Sequence, residues 1–114
     1  MQLLNKTRKT VLASDVEVAN GLSARLIGLL GRTSLGEGKA LWISNTNSIH
    51  TFFMKFPIDA LFVDKNLRVR SIHKNLTPWR MTFPAFGAHS VFEMSAGSLK
   101  DFEVSKGDQL YVGS

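Results

Sequence analysis

Cysteine is missing altogether from the 114 residues. That excludes thiol catalysis, thiolate metal sites and disulfide staples, and it fits a reducing compartment. Long apolar runs are missing too: no stretch approaches transmembrane length. Met1 to Ser14 carries charges but no apolar run of signal-peptide length. The expected location is therefore the cytoplasm, although a secreted or periplasmic chain trimmed of its leader would look the same. There is no internal repeat, low-complexity tract or linker, so a string of modules is excluded. Nor is there a Gly-x-Ser-x-Gly elbow, a Walker loop or a dinucleotide Gly-x-Gly-x-x-Gly. The histidines His50, His73 and His89 show no HxH or HExxH spacing. A metal site would need three separate strands to converge, and no metal or other cofactor is expected.

Acids are outnumbered, nine against fourteen basic residues, giving a formal charge of +5. The excess is modest and scattered, with local groups at Lys6, Arg8 and Lys9 and at Arg68, Arg70 and Lys74. Surface solubility accounts for it without a polyanion partner. A hydrophobic fraction of 44% is enough for a core without cross-links. The length fits a single domain over residues 1–114.

The stretch from His50 to Asp64 holds four of the eight phenylalanines, one of three prolines and one of three histidines. It is expected to be the middle of the core. His50 to Lys55 and Ile58 to Val63 read as two strand pieces separated by Pro57, which cannot donate to a ladder. Asp64-Lys65-Asn66 is a hairpin turn by composition, with Leu67 to His73 returning. Earlier in the chain, Met1 to Asn5 reads as an edge strand and Val11 to Ala19 as a second strand. Asn20 is a plausible N-cap for a helix whose apolar stripe is Leu22, Leu26, Leu29 and Leu30. Ala40 to Ser44, His89 to Ser95 and Gln109 to Val112 are further strands. Asn75 to Ala88 holds two prolines and reads as a long loop, whose aromatics are expected to pack down onto the sheet. About seven short strands and one crossing helix at about residues 20–30 predict an α+β fold, mostly antiparallel, as a small curled sheet or β-barrel.

Several of these segments look familiar. Arg25-Leu26-Ile27-Gly28-Leu29-Leu30-Gly31-Arg32, Ser48-Ile49-His50-Thr51-Phe52-Phe53-Met54, Pro57-Ile58-Asp59 and Phe62-Val63-Asp64 form one set. Phe92-Glu93-Met94, Ala96-Gly97 and Gly107-Asp108 form another. Together they resemble the widespread prokaryotic family called domain of unknown function 192, over roughly Glu17 to Leu110. The resemblance implies a small β-rich domain with one helix, and no activity.

Asp59 is the most pointed polar residue. It shares a strand face with Leu61 and Val63; if that face is inside, an unpaired carboxylate would cost several kcal/mol or stay protonated. It therefore needs a partner, and Arg25 on the helix or His50 are the candidates. Such a pair could fix helix against sheet, or Asp59 could be a general base or a ligand-holding carboxylate. Met54 could line an apolar pocket or simply fill the core. Glu93, between Phe92 and Met94, points either to solvent or into a cavity. Trp79, Arg80 and Phe83 belong to a candidate lid.

The leading expectation is a non-enzymatic module that binds a small molecule or a protein, through a polar cluster of Arg25, His50, Met54, Asp59 and Glu93. A small hydrolase-type enzyme using His50 and Asp59 as acid and base is the alternative. Nucleic-acid binding through Arg68 to Lys74 ranks third.

Overall fold

The computed structural model describes residues 1–19, 36–52, 54–100 and 103–113. Eight strands lie among them: β1 (Gln2–Asn5), β2 (Thr10–Ala13), β3 (Asp15–Ala19), β4 (Lys39–Ser44), β5 (Ile58–Val63), β6 (Val69–Leu76), β7 (Ser90–Ser95) and β8 (Leu110–Gly113). They form a three-stranded sheet in the order β2-β1-β8 and a five-stranded sheet in the order β3-β4-β7-β5-β6. The pairings are antiparallel except β3 with β4, which run parallel from Asp15 opposite Lys39 to Ala19 opposite Ile43.

The α+β expectation is therefore corrected. The described residues are all-β, with no helix among them, and the strands divide between two sheets instead of curling into one sheet or closing a barrel. The helix expected over about residues 20–30, with Asn20 as its cap and Arg25 on its surface, lies outside the described residues.

Local chemistry explains most of the boundaries. The stretch Val11 to Ala19 is two strands, not one. Between them Ser14 donates both its amide and its hydroxyl to the carbonyl of Gly38, and the chain passes there from one sheet to the other. Met1 to Asn5 contains a central strand, not an edge strand, because β8 pairs along its free side from Gln2 opposite Gly113 to Asn5 opposite Leu110. The hairpin of β5 and β6 turns as its composition demands. Asp64 Oδ1 accepts the amides of Asn66 and Arg68, at 2.9 and 3.0 Å, and Leu67 takes a positive φ of 63°.

The five-stranded sheet is covered on both faces. On the first, Leu61, Val63, Phe92 and Met94 pack against Leu3, Leu12 and Leu110 of the three-stranded sheet. On the second, Ile43, Ile58, Ala60, Phe62 and Val91 pack beneath Ile49, Met54 and Phe56. A strand with two covered faces needs no polar alternation, so β5 is buried at every position, Asp59 included. The described residues from His50 to Phe56 are a correction: apart from one bridge between His50 and Met81, they form no strand. They cross over the second face as an irregular cover.

Candidate functional site

Asp59 is 1% exposed and points to the first face of the sheet, opposite Met94 of β7. Its Oδ1 accepts the amide of Asn75 at 2.8 Å, and its Oδ2 accepts those of Gly97 and Leu99 at 3.0 Å each. Two of the three donors, those of Asn75 and Gly97, are stranded for a local reason. Ile58 faces Leu76 while Ala60 faces His73, so β6 carries one residue more than β5 across this step. Such a bulge takes amides off the ladder, and Asn75 inside it adopts a positive φ of 52°. Gly97 turns the chain away from β7 with φ +90°, a conformation cheap for glycine alone. One carboxylate thus joins the end of β5, the bulge of β6 and the turn after β7. The sequence expectation that this acid must be answered holds, but the answer comes from amides. His50 is not among its partners, and Arg25 lies outside the described residues.

Glu93 sits on the opposite face. It is 0% exposed, between Leu41 of β4 and Ala60 of β5, so it points neither to solvent nor toward Asp59. Met54, 6% exposed, is packed in the apolar cluster of the same face. The expected cluster of five is thus split by the sheet: Asp59 is on one side, Glu93 and Met54 on the other.

His50 lies at the margin of the irregular cover. Its ring stacks on Phe52, with centroids 5.0 Å apart, and Phe52 stacks in turn on Trp79 at 5.9 Å. The loop carrying Trp79 is held by a residue the sequence reading passed over. Thr51, fully buried, donates its hydroxyl to the carbonyl of Thr77 at 2.6 Å and accepts the amide of Arg80 at 2.9 Å. Its amide and carbonyl bond to the Arg80 carbonyl and the Trp79 amide, at 2.8 and 3.0 Å. Thr82 repeats the device, accepting the Ile49 amide on its hydroxyl at 3.0 Å. Ala85 donates to the carbonyl of Asn47. Residues 77–85 are thereby laced to residues 47–51.

The side chains of this laced loop do not pack down as expected. Phe83 and Phe86 are each 92% exposed, Met81 69% and Trp79 60%.

A model of the family DUF192, described as uncharacterised ACR, matches residues 3–112. The chain belongs to that family. A UPF0127 protein of Pyrococcus horikoshii is 29% identical over 111 residues, covering 95% of this chain and 96% of that protein. Among solved structures, a Sinorhizobium meliloti 1021 protein provisionally titled a transcription regulator superposes with a TM-score of 0.79. It is 26% identical, over 96% of this chain and 89% of its own. A Novosphingobium aromaticivorans protein of unknown function shares the fold at a TM-score of 0.77, with 23% identity over 97% and 82% of the two chains.

A third buried acid belongs to the Gly107-Asp108 pair of the DUF192 resemblance. Asp108 Oδ2 accepts the side-chain amide of Asn5 at 2.9 Å, Nε of Arg8 at 2.8 Å and the Ser105 amide at 2.8 Å. Burial alone would push its carboxyl up. The bonds from Asn5, Ser105 and Arg8 outweigh that and leave it below the usual carboxylate range. This cluster ties the start of the DUF192 chain to its end. It was missed because Asn5 and Asp108 stand 103 positions apart, and only the isolated polar residue ending β1 hinted at it.

His73, on β6, is held below the ordinary imidazole value by burial and by the nearby charge of Lys106. Its Nε2 lies 3.1 Å from the Ser71 hydroxyl. Among the described residues of this DUF192 chain no three His, Asp or Glu side chains come together as a metal cage, and no helix is long and apolar enough to cross a membrane.

Proposed function

We propose that this DUF192 chain is a non-enzymatic binding module whose contact surface is the outer side of residues 77–88. The observation that carries this is the pairing of full exposure with a fixed backbone: Phe83 and Phe86 are 92% exposed on a loop tied down through buried Thr51 and Thr82. Apolar side chains held out in water by a rigid scaffold mark interaction sites. Trp79, Arg80 and Phe83 serve as contact residues instead of as a lid, with His50 and Phe52 stacked behind them. Asp59, Met54 and Glu93 support the sheet beneath.

The geometry weighs against the acid–base couple. A general base must reach a proton on a substrate. Asp59 is 1% exposed, and its oxygens already accept three amides. Nucleic-acid binding stays as a second reading. No Asp or Glu occurs between Asp64 and Glu93, a stretch that includes β6, and one structural neighbour is provisionally titled a transcription regulator.

Quantitative co-purification and metabolite profiling of wild type, F83A/F86A and Asp59→Asn separates these readings. The module predicts that F83A/F86A loses the wild-type ligand while melting at the same temperature. Asp59→Asn should melt earlier but keep the ligand below its melting point. Loss of ligand in folded Asp59→Asn, with retention in F83A/F86A, would return the site to the buried acid.

A further inference from the structure

The chemistry around the exposed loop narrows the kind of partner. From Pro78 to Ala88 the polar side chains are Arg80 and Thr82. Thr82 is 7% exposed and turned inward to Ile49. What the loop offers outward, Arg80 apart, is therefore apolar: Trp79, Met81, Phe83, Pro84 and Phe86.

Beside this patch, the charged side chains lining two clefts are all cations. Arg70 Nε donates to the carbonyl of Phe86 at 3.2 Å, which fixes a guanidinium at the base of the loop tip. Arg70 and Lys106 line a shallow cleft of about 550 Å³ beside Phe86. Lys74 and Arg80 line another of about 590 Å³ along β6. Among the described residues no carboxylate lines either cleft.

We propose that the exposed loop of residues 77–88 inserts its apolar side chains into the interface of an anionic lipid bilayer, with Arg70, Lys74, Arg80 and Lys106 on the headgroup phosphates. This rests on the docking reading above. A protein partner would have to bring an apolar pocket and an acidic rim matched to this one shape. Sequence readout of nucleic-acid bases needs acceptors as well as donors beside the rings, and from Pro78 to Ala88 the exposed side chains offer only the donors of Trp79 and Arg80. A bilayer asks for what is present: apolar side chains that reach the acyl boundary, and cations at headgroup depth. The binding lies on the surface and requires no spanning segment.

Cosedimentation with large vesicles tests it. Wild type is expected to pellet with equal parts phosphatidylglycerol and phosphatidylcholine at low salt. It should stay in solution with phosphatidylcholine alone and be released as salt rises. F83A/F86A should lower partition by about tenfold or more without changing the melting temperature. K74Q/R80Q should lower it by about fivefold for each charge removed. Wild type remaining in solution with the anionic vesicles would overturn the lipid inference. If it instead held a single-stranded oligonucleotide in a manner dependent on Phe83 and Phe86, the lipid inference would fall while the docking surface stood. Vesicle binding unchanged in F83A/F86A would remove both.

Discussion

Among the described residues three carboxylates are buried, and two of them join distant segments: Asp59 through backbone amides, Asp108 through Asn5, Ser105 and Arg8. Asp59 takes three amides. Replacing it with alanine would leave all three without an acceptor in an apolar setting, each worth up to about 1–3 kcal/mol. Allowing for relaxation of the turn at Gly97, the net loss should be about 3 kcal/mol, a melting temperature lower by about 10 °C or more. Asp59→Asn keeps one acceptor oxygen but turns an NH2 toward a donor, so it should fall between wild type and alanine. Thermal melts of the three proteins check the order. Asp108 makes a different prediction, in pH. Its folded-state pKa is lowered. The stability it adds is therefore fully present above the ordinary carboxylate range and is lost as pH falls through the folded value. Asp108→Asn should flatten that acid limb in a titration of melting temperature, and a limb as steep as wild type's would contradict the assignment. That Asp59 needed a partner was legible, because a carboxylate on the inner face of a strand with Leu61 and Val63 is costly unless it is paired or protonated. Which partner was not legible: a backbone amide carries no label in the sequence, and the sequence reading looked to side chains.

At the scale of elements, the best-read piece was the hairpin of β5 and β6, because its turn residues and both strands are adjacent in sequence. What joins distant segments was invisible. The place of β1 depends on β8 at the far end of the chain. The break at Ser14 depends on a carbonyl of Gly38. The segment before Pro57 has the alternation of a strand, but its described residues find no ladder beyond the bridge of His50 to Met81, because their neighbours are the irregular residues 77–82. Thr51 decides what that segment does. A threonine in an apolar run signalled little, yet its hydroxyl joins Thr77 and Arg80. Thr51→Val keeps the shape and removes those bonds. It should cost about 1–3 kcal/mol and speed limited proteolysis between Thr77 and Phe86. Digestion at the wild-type rate would show that the loop is held by something else.

At the scale of the whole molecule, a five-stranded sheet with both faces covered separates two sets of polar groups. Asp59 lies under the three-stranded sheet side, and Glu93 lies on the side covered by Ile49, Met54 and Phe56. A polar cluster read along one dimension was divided by the period-two geometry of β5 and β7. On the outside lie the aromatic loop and the cation-rich edge of β6, among other exposed residues. Hydrogen–deuterium exchange of wild type, with and without phosphatidylglycerol-containing vesicles, tests this division most directly. The structure leads us to expect added protection confined to Trp79 through Gly87 and adjoining β6, with the turn at Gly97 and Leu99 unchanged. Protection centred on Gly97 and Leu99, with the loop unaffected, would contradict it.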